Sequence, residues 1–304
     1  MRCLVIFCYL LTLPILTACT HFQLGLSAYK HGDYKTALVE FRQAAEEGDA
    51  EAQHNLGLLY LKGTGTEPNL AEARHWFGKA AEQGQVQSQY NLGLMCERGQ
   101  GAPPDYAAAA AWYRKAAEQG HAKAQLNLGM LYDQGLGVKQ NPVEAVAWYR
   151  KAAEDGLPEA QFNLGVSYDK GEGVHRDDAE AVKWYRKAAD QGDAHAQYNL
   201  ALMYDEGEGV PQDDREAVKW YLLAAQQGEP SAQHNLGLMY AKGEGVSRDD
   251  VSAYLWLDLA VQGGYQDPLH ARDTVRKKLS PEQLAQADKH IKNWKPHVMP
   301  TPGK

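Results

Sequence analysis

Between residues 52 and 264 the apolar positions follow two short helical periodicities that alternate and are separated by glycines, the pattern a chain of helical hairpins requires. The first helix of the first unit is predicted over about residues 52–62, and Gly63 and Gly65 supply the left-handed or tight-turn conformations that end it. The second helix carries Ala73, Trp76 with Phe77, and Ala80 on one face. The whole pattern then recurs. Asn55, Asn91, Asn127, Asn163, Asn199 and Asn235 stand 36 residues apart, as do Trp76, Trp112, Trp148, Trp184, Trp220 and Trp256. Gly84, Gly120, Gly156, Gly192, Gly228 and Gly264 keep the same step.

Each second helix is predicted to start after an Asn or Asp, at Asn69, Asp105, Asn141, Asp177, Asp213 and Asp249, whose side-chain oxygen accepts from the first-turn amides. Glu72, Glu144, Glu180 and Glu216 follow at capping-box spacing, and Pro142 suits a first turn. On the outer face Arg114–Glu118, Arg150–Glu154 and Arg186–Asp190 are spaced for ion pairs one turn apart. Trp is expected to fill the space between hairpins, with small alanines letting helices approach.

The repeated stretch, AEAQxNLGxxYxxGxGV followed by A-x-x-W-Y-x-K-A-A-x-x-G, resembles the Sel1-like branch of the tetratricopeptide superfamily. The resemblance covers 52–264 as six units, and 24–48 looks like one ordinary tetratricopeptide hairpin before them. It implies an all-α, right-handed α/α superhelical solenoid of about seven hairpins that binds proteins along helix-lined surfaces. Cys96 stands where the other units have Tyr60, Tyr132, Tyr168, Tyr204 and Tyr240, and is read as a buried thiol. Ala201 replaces a recurring Gly. After Tyr265 the period stops, and Ser280-Pro281-Glu282-Gln283 announces a capping helix up to Trp294, with 296–304 expected to be disordered.

The N-terminus is of another kind. Arg2 precedes an apolar run over 3–16, shorter than a membrane span, that closes on Leu16-Thr17-Ala18-Cys19. That tetrapeptide resembles a bacterial lipobox, which implies cleavage before Cys19, acylation of its thiol and, with Thr20 in place of Asp, sorting to an outer membrane. Two or three acyl chains make such an anchor stable. The chain then divides into a signal at 1–18, an N-terminal hairpin at 19–51, six repeats at 52–264 and a cap and tail at 265–304. With Cys3 and Cys8 removed and Cys19 lipidated, Cys96 alone remains, so no intrachain disulfide is expected.

A net charge of -8 argues against nucleic acid, because phosphate contacts need a basic face. The His residues show no metal-ligand spacing, and no metal or other cofactor is expected. Ser27 and Ser167 each begin a Ser-x-x-Lys tetrapeptide, the basis of an alternative reading as an envelope enzyme acting on peptidoglycan or β-lactams. No Ser-Asp-Asn or Lys-Thr-Gly accompanies them, and the chain is read as non-enzymatic. The Gly-x-Gly turns follow helices, not strands, and are hairpin hinges.

One column varies inside the fixed repeat: His54, Tyr90, Leu126, Phe162, Tyr198 and His234. It suits a protein or peptide ligand on a concave face, or a glycan, and packing between units is the competing reading. Asn91, Asn127, Asn163 and Asn199 lie beside it, as do Gln53 and its equivalents to Gln233. Glu97, Asp133, Asp169 and Asp205 form an acidic column that would favour basic partners.

Overall fold

The computed structural model describes residues 4–265 and 269–297, with side chains from residue 17 onward. Among these residues the chain is entirely helical and forms two compact units that meet in sequence after Trp148. The first unit contains α1 (Leu4–Lys30), α2 (Tyr34–Glu46), α3 (Ala50–Lys62), α4 (Leu70–Glu82), α5 (Val86–Arg98), α6 (Tyr106–Glu118) and α7 (Ala122–Gln134). Helix α8 (Pro142–Glu154) runs through the division. The second unit contains α9 (Pro158–Lys170), α10 (Asp178–Asp190), α11 (Ala194–Glu206), α12 (Asp214–Gln226), α13 (Pro230–Lys242), α14 (Asp250–Gln262), α15 (Leu269–Arg276) and α16 (Pro281–Asn293). Within each unit, successive helices pack as the antiparallel arms of a repeat solenoid.

Local chemistry sets the helix ends. Gly63 closes α3 in the left-handed conformation, φ 67°, and its N–H returns to Leu59 O. Asn69 opens α4 by accepting from the Glu72 amide at 3.1 Å, and each of the other five expected caps accepts in the same way. Such caps contribute about 1 kcal/mol apiece. The reciprocal half of the capping box is closed at Ser280–Gln283. In the repeats, Glu72 turns along its helix to accept from Trp76 Nε1 at 3.0 Å, and Glu180 and Glu216 turn to Lys183 and Lys219. A glutamate held by a partner one turn on is not reaching back to the cap.

Packing between the arms depends on a glycine. A Cβ at Gly57 would lie 2.7 Å from Phe77 Cδ1, and the same collision recurs at Gly93 with Tyr113 and Gly165 with Tyr185. The absent side chain lets the ring of one helix lie on the backbone of the other, and Phe77, Tyr113 and Tyr185 are completely buried. Trp112 packs both against the cluster that contains Phe41, Leu56 and Phe77 and against the one that contains Tyr113 and Leu128, so the expected bridging role of Trp holds there.

The outer-face arginines differ from expectation. Rather than pairing with Glu118, Glu154 and Asp190, Arg114, Arg150 and Arg186 donate to the hydroxyls of Tyr132, Tyr168 and Tyr204 on the next helix, the Arg150 bond being 2.7 Å. Each guanidinium also lies 5.5–5.6 Å from that ring's centroid. A ring face plus a hydroxyl holds a planar cation better than an exposed carboxylate, whose pairing is offset by hydration.

At the C-terminus two helices cap the last hairpin where one was expected: Val275 of α15 and Ile291 of α16 join Leu257 in one cluster. Pro296 and His297 are not loose. Pro296 lies beside Gly228, and His297 N–H donates to Gln226 O at 2.7 Å. Residues 298–304, the rest of the expected disordered tail, lie outside the described residues. So does Arg2 of the expected signal. No helix among the described residues is long and apolar enough to cross a membrane.

Candidate functional site

In the first unit the variable column places His54, Tyr90 and Leu126 on α3, α5 and α7; in the second it places Phe162, Tyr198 and His234 on α9, α11 and α13. Leu126 is 9% exposed and the other five are half-buried. Four members lean on a ring of the helix that follows: His54 on Phe77 at 5.6 Å between centroids, Tyr90 on Tyr113 at 5.9 Å, Phe162 on Tyr185 at 5.9 Å and Tyr198 on Tyr221 at 6.0 Å. For His54, Tyr90 and Phe162 the glycine three residues downstream draws the second helix close, while Tyr198 has the fully buried Ala201 at that place.

Further rings extend the column where sequence periodicity gave no sign of them. His121 stacks on Tyr90 at 4.4 Å, His195 approaches Phe162 at 5.9 Å and Tyr265 approaches His234 at 5.3 Å. Phe22 on α1 meets Phe41 at 6.0 Å, in the way His54 meets Phe77. It precedes His54 by 32 residues, so a search at 36 passes over it. The signal that could have found it is Gly25, three residues on, against Phe41.

Electrostatically the column is nearly neutral. Burial holds the imidazoles of His54 and His121 below the ordinary histidine range, and burial raises the phenols of Tyr90 and Tyr198. His54 Nδ1 also meets Ser88 Oγ at 2.8 Å. The column therefore offers flat rings with few formal charges, a surface for apolar and aromatic side chains.

The polar groups read as neighbours of this surface are already engaged. Gln53 Nε2 donates to Ala45 O at 3.0 Å, and Gln89, Gln125, Gln161, Gln197 and Gln233 repeat that bond at 3.1 Å to the C-terminal turn of the preceding helix. All six glutamines are buried. Gln83 then donates to Gln53 Oε1 at 2.7 Å, and Gln119, Gln191 and Gln227 do the same for their counterparts at 2.8 Å. The ladder adds a side-chain donor to helix-end carbonyls that already accept the N–H of the following glycine, such as Gly48 to Ala45 O and Gly84 to Ala81 O, which removes these glutamines from the binding surface.

The acids are likewise held. Tyr113 donates to Glu97, Tyr185 to Asp169 at 3.1 Å and Tyr221 to Asp205 at 3.2 Å. Burial, with the neighbouring carboxylate, drives these phenols far above their usual range, and burial also raises Asp205. Asn235 Nδ2 donates to Tyr221 OH at 2.9 Å, and Asn127 and Asn199 bond to Tyr113 and Tyr185. Asn55 instead donates to Glu51 O at 2.8 Å. Asn91 and Asn163 are half-buried; Asn91 follows Phe77, which has no hydroxyl to meet.

Ser167 Oγ donates to Asn163 O at 3.0 Å and is 7% exposed, a hydroxyl held on its own helix rather than presented to a substrate. Ser27 is exposed on α1. Cys19 is exposed on the same helix, while Cys96 is buried. Among the described residues no group of three His, Cys, Asp or Glu converges as a metal set.

Comparison with known proteins agrees with this architecture. The model of the Sel1 repeat family matches six consecutive segments, residues 50–85, 86–121, 122–157, 158–193, 194–229 and 230–265. A solved Sel1 repeat protein from Oxalobacter formigenes is 38% identical, over 80% of this chain and 96% of that one, with a TM-score of 0.68. A protective antigen, c5321, of uropathogenic Escherichia coli is 31% identical over 91% of this chain and 76% of its own, with a TM-score of 0.41. No curated protein matches.

Proposed function

The chain belongs to the Sel1 repeat family, and from that membership we propose that it is a protein-binding scaffold, held by lipid on Cys19 to the outer membrane of a bacterial envelope and facing the periplasm. Sel1 repeat proteins are, as a class, scaffolds for protein–protein interaction. The observation that carries the reading to particular residues is the variable column: caps, glutamine ladder and glycine–ring contacts repeat nearly unchanged, whereas His54, Tyr90, Phe162, Tyr198 and His234 differ and stay partly accessible, Leu126 alone being buried. A constant residue serves the repeated fold, and a varied, half-exposed one is free to serve a ligand. Support for the anchor comes from the Leu16-Thr17-Ala18-Cys19 tetrapeptide and from the exposure of Cys19 on α1.

The test is capture from host envelope extract by residues 20–304, beside a Tyr90→Ala, Phe162→Ala, Tyr198→Ala triple variant whose circular dichroism confirms folding. Proteins retained by the parent and lost by the variant support the column as the binding surface. Identical capture by both assigns the rings to packing alone. Separately, metabolic incorporation of an alkyne fatty acid that vanishes in Cys19→Ser supports the anchor, and incorporation that persists rejects it.

A further inference from the structure

The first helices of the repeats start at equivalent residues, but the groups that cap them differ. Asp49, Asp193 and Glu229 accept a first-turn amide through a carboxylate, Gln85 accepts through its side-chain carbonyl, and Leu157 makes no side-chain cap. His121 caps α7 with an imidazole: the Ala124 N–H donates to His121 Nδ1 at 3.1 Å. A backbone amide can only donate, so Nδ1 holds a lone pair and the proton of the neutral ring is on Nε2. That nitrogen donates to Gln87 Oε1 on α5 at 3.1 Å. With both nitrogens engaged, the ring lies stacked on Tyr90, 4.4 Å between centroids and 27° between planes. One side chain thus caps a helix and covers a face of a column ring.

Protonation treats this histidine differently from others beside the column. His54 Nδ1 meets Ser88 Oγ at 2.8 Å, and a hydroxyl accepts as well as donates, so a second proton costs His54 no bond. His195 Nδ1 lies 3.2 Å from a Glu229 carboxylate oxygen, which accepts from the cation. At His121 the second proton goes on Nδ1 and turns the acceptor into a donor, leaving two N–H groups opposed across 3.1 Å. The cation also stands at the N-terminus of α7, the positive end of the helix dipole. Lys123 on α7 repels it, and α5 faces it with the Tyr90 phenol and the neutral Gln87 amide. In the last turn of α6, Lys115 lies on the Trp112 ring and Glu118 is exposed. A cation gains from the Tyr90 face, but in this pose only by keeping the two N–H groups opposed. Burial acts against the proton as well.

We infer that His121 is an acid-released latch on the column: neutral, it closes the first turn of α7 over Tyr90, and protonated, it swings out, uncaps α7 and exposes the Tyr90 ring. The latch is shut above the ordinary histidine midpoint of about 6.5 and opens as pH falls below it, because the closed fold resists the proton. Its bearing on a partner rests on the column being the binding surface, and the opening itself does not.

The experiment is an NMR titration of the full chain from about pH 7.5 to about pH 5, following the His121 and Tyr90 ring signals and amide exchange at Ala124. His121→Asp and His121→Phe are measured beside the parent. Asp keeps an acceptor at the cap, as Asp49 does, without the ring, whereas Phe keeps a ring with neither acceptor nor proton. The expected parent is a neutral His121 with its proton on Nε2 that titrates below about 6.5, with the Tyr90 signals moving at the same midpoint. Ala124 protection, relative to the unstructured rate, should fall about fivefold over that range, the weight of one cap. It should stay level at Ala52, level and high in His121→Asp, and level and low in His121→Phe. A His121 midpoint at or above about 6.5, Ala124 protection that does not follow that midpoint, or an equal pH response in His121→Asp would overturn the latch. All of this is read on the free protein, so a failed latch leaves the column reading standing, and a failed capture leaves the latch standing.

Discussion

The same substitution at two glycines of one hairpin should move stability in different amounts because only one of them is needed for close approach. Gly57 lies in α3 and Gly78 in α4, both inside thirteen-residue helices. Replacing either with Ala contributes about 0.8–1.0 kcal/mol of helix propensity. At Gly78 nothing lies within 4 Å of the new methyl, so that gain should appear almost whole. At Gly57 the methyl would sit 2.7 Å from Phe77 Cδ1 and 2.8 Å from Cε1, when carbon atoms prefer about 3.5–4.0 Å. The fully buried Phe77 ring must shift by roughly an ångström in a packed core, at about 1–3 kcal/mol. Propensity cancels in the comparison, so Gly57→Ala should be about 1–3 kcal/mol less stable than Gly78→Ala. Ala201, which is itself fully buried, shows that a methyl can be seated at the equivalent place when its own hairpin is built around it. The magnitude therefore concerns an unadjusted neighbour. Equilibrium urea unfolding followed by far-ultraviolet circular dichroism measures both variants within one cooperative segment. Equal midpoint increases for the two would refute the close-packing argument.

Other consequences are directly measurable. Tyr185→Phe removes a hydroxyl that donates to Asp169 at 3.1 Å, and should lower stability by about 1 kcal/mol while leaving the helical content unchanged. Arg150→Ala should cost about 0.5–1 kcal/mol, and Arg150→Lys should recover little of it, because the 2.7 Å bond to Tyr168 and the ring contact both use the planar guanidinium; full recovery by Lys in thermal unfolding would contradict this. Burial lowers the His54 pKa, so the unfolded chain takes the proton first. The associated stability is complete above about pH 6.5 and declines as pH falls from there toward the lower folded value. Acidification from neutral pH should therefore lower the unfolding midpoint more in the parent than in His54→Phe, and identical slopes would show that His54 is not coupled to folding.

Spacing along the chain was enough to reveal the hairpins, their 36-residue period, the Asn and Asp caps and the glycine turns. These features are local: a cap needs an amide three residues away, and a left-handed turn needs one residue without a Cβ. Cys96 was legible as a buried thiol because it stands where the other units carry a tyrosine, although of those tyrosines only Tyr60 is itself fully buried. What the side chains of the candidate surface are bonded to was settled only in three dimensions. Gln53 through Gln233, Glu97, Asp169 and Asp205 look like a polar lining in the linear pattern, yet they cap helix ends and hold buried tyrosines on adjacent helices. Arg150 finds Tyr168 across 18 residues rather than Glu154 across four, since the approach of two helices, and not the rise of one, decides which partner is better held. Phe22 joins the column although its sequence step is 32, because ring contact follows the seat made by Gly25 and not the count of residues between repeats. A repeat declares its own fold in one dimension through its constant positions, whereas the surfaces left over for a ligand emerge only after the folded chain has consumed the groups it needs for itself.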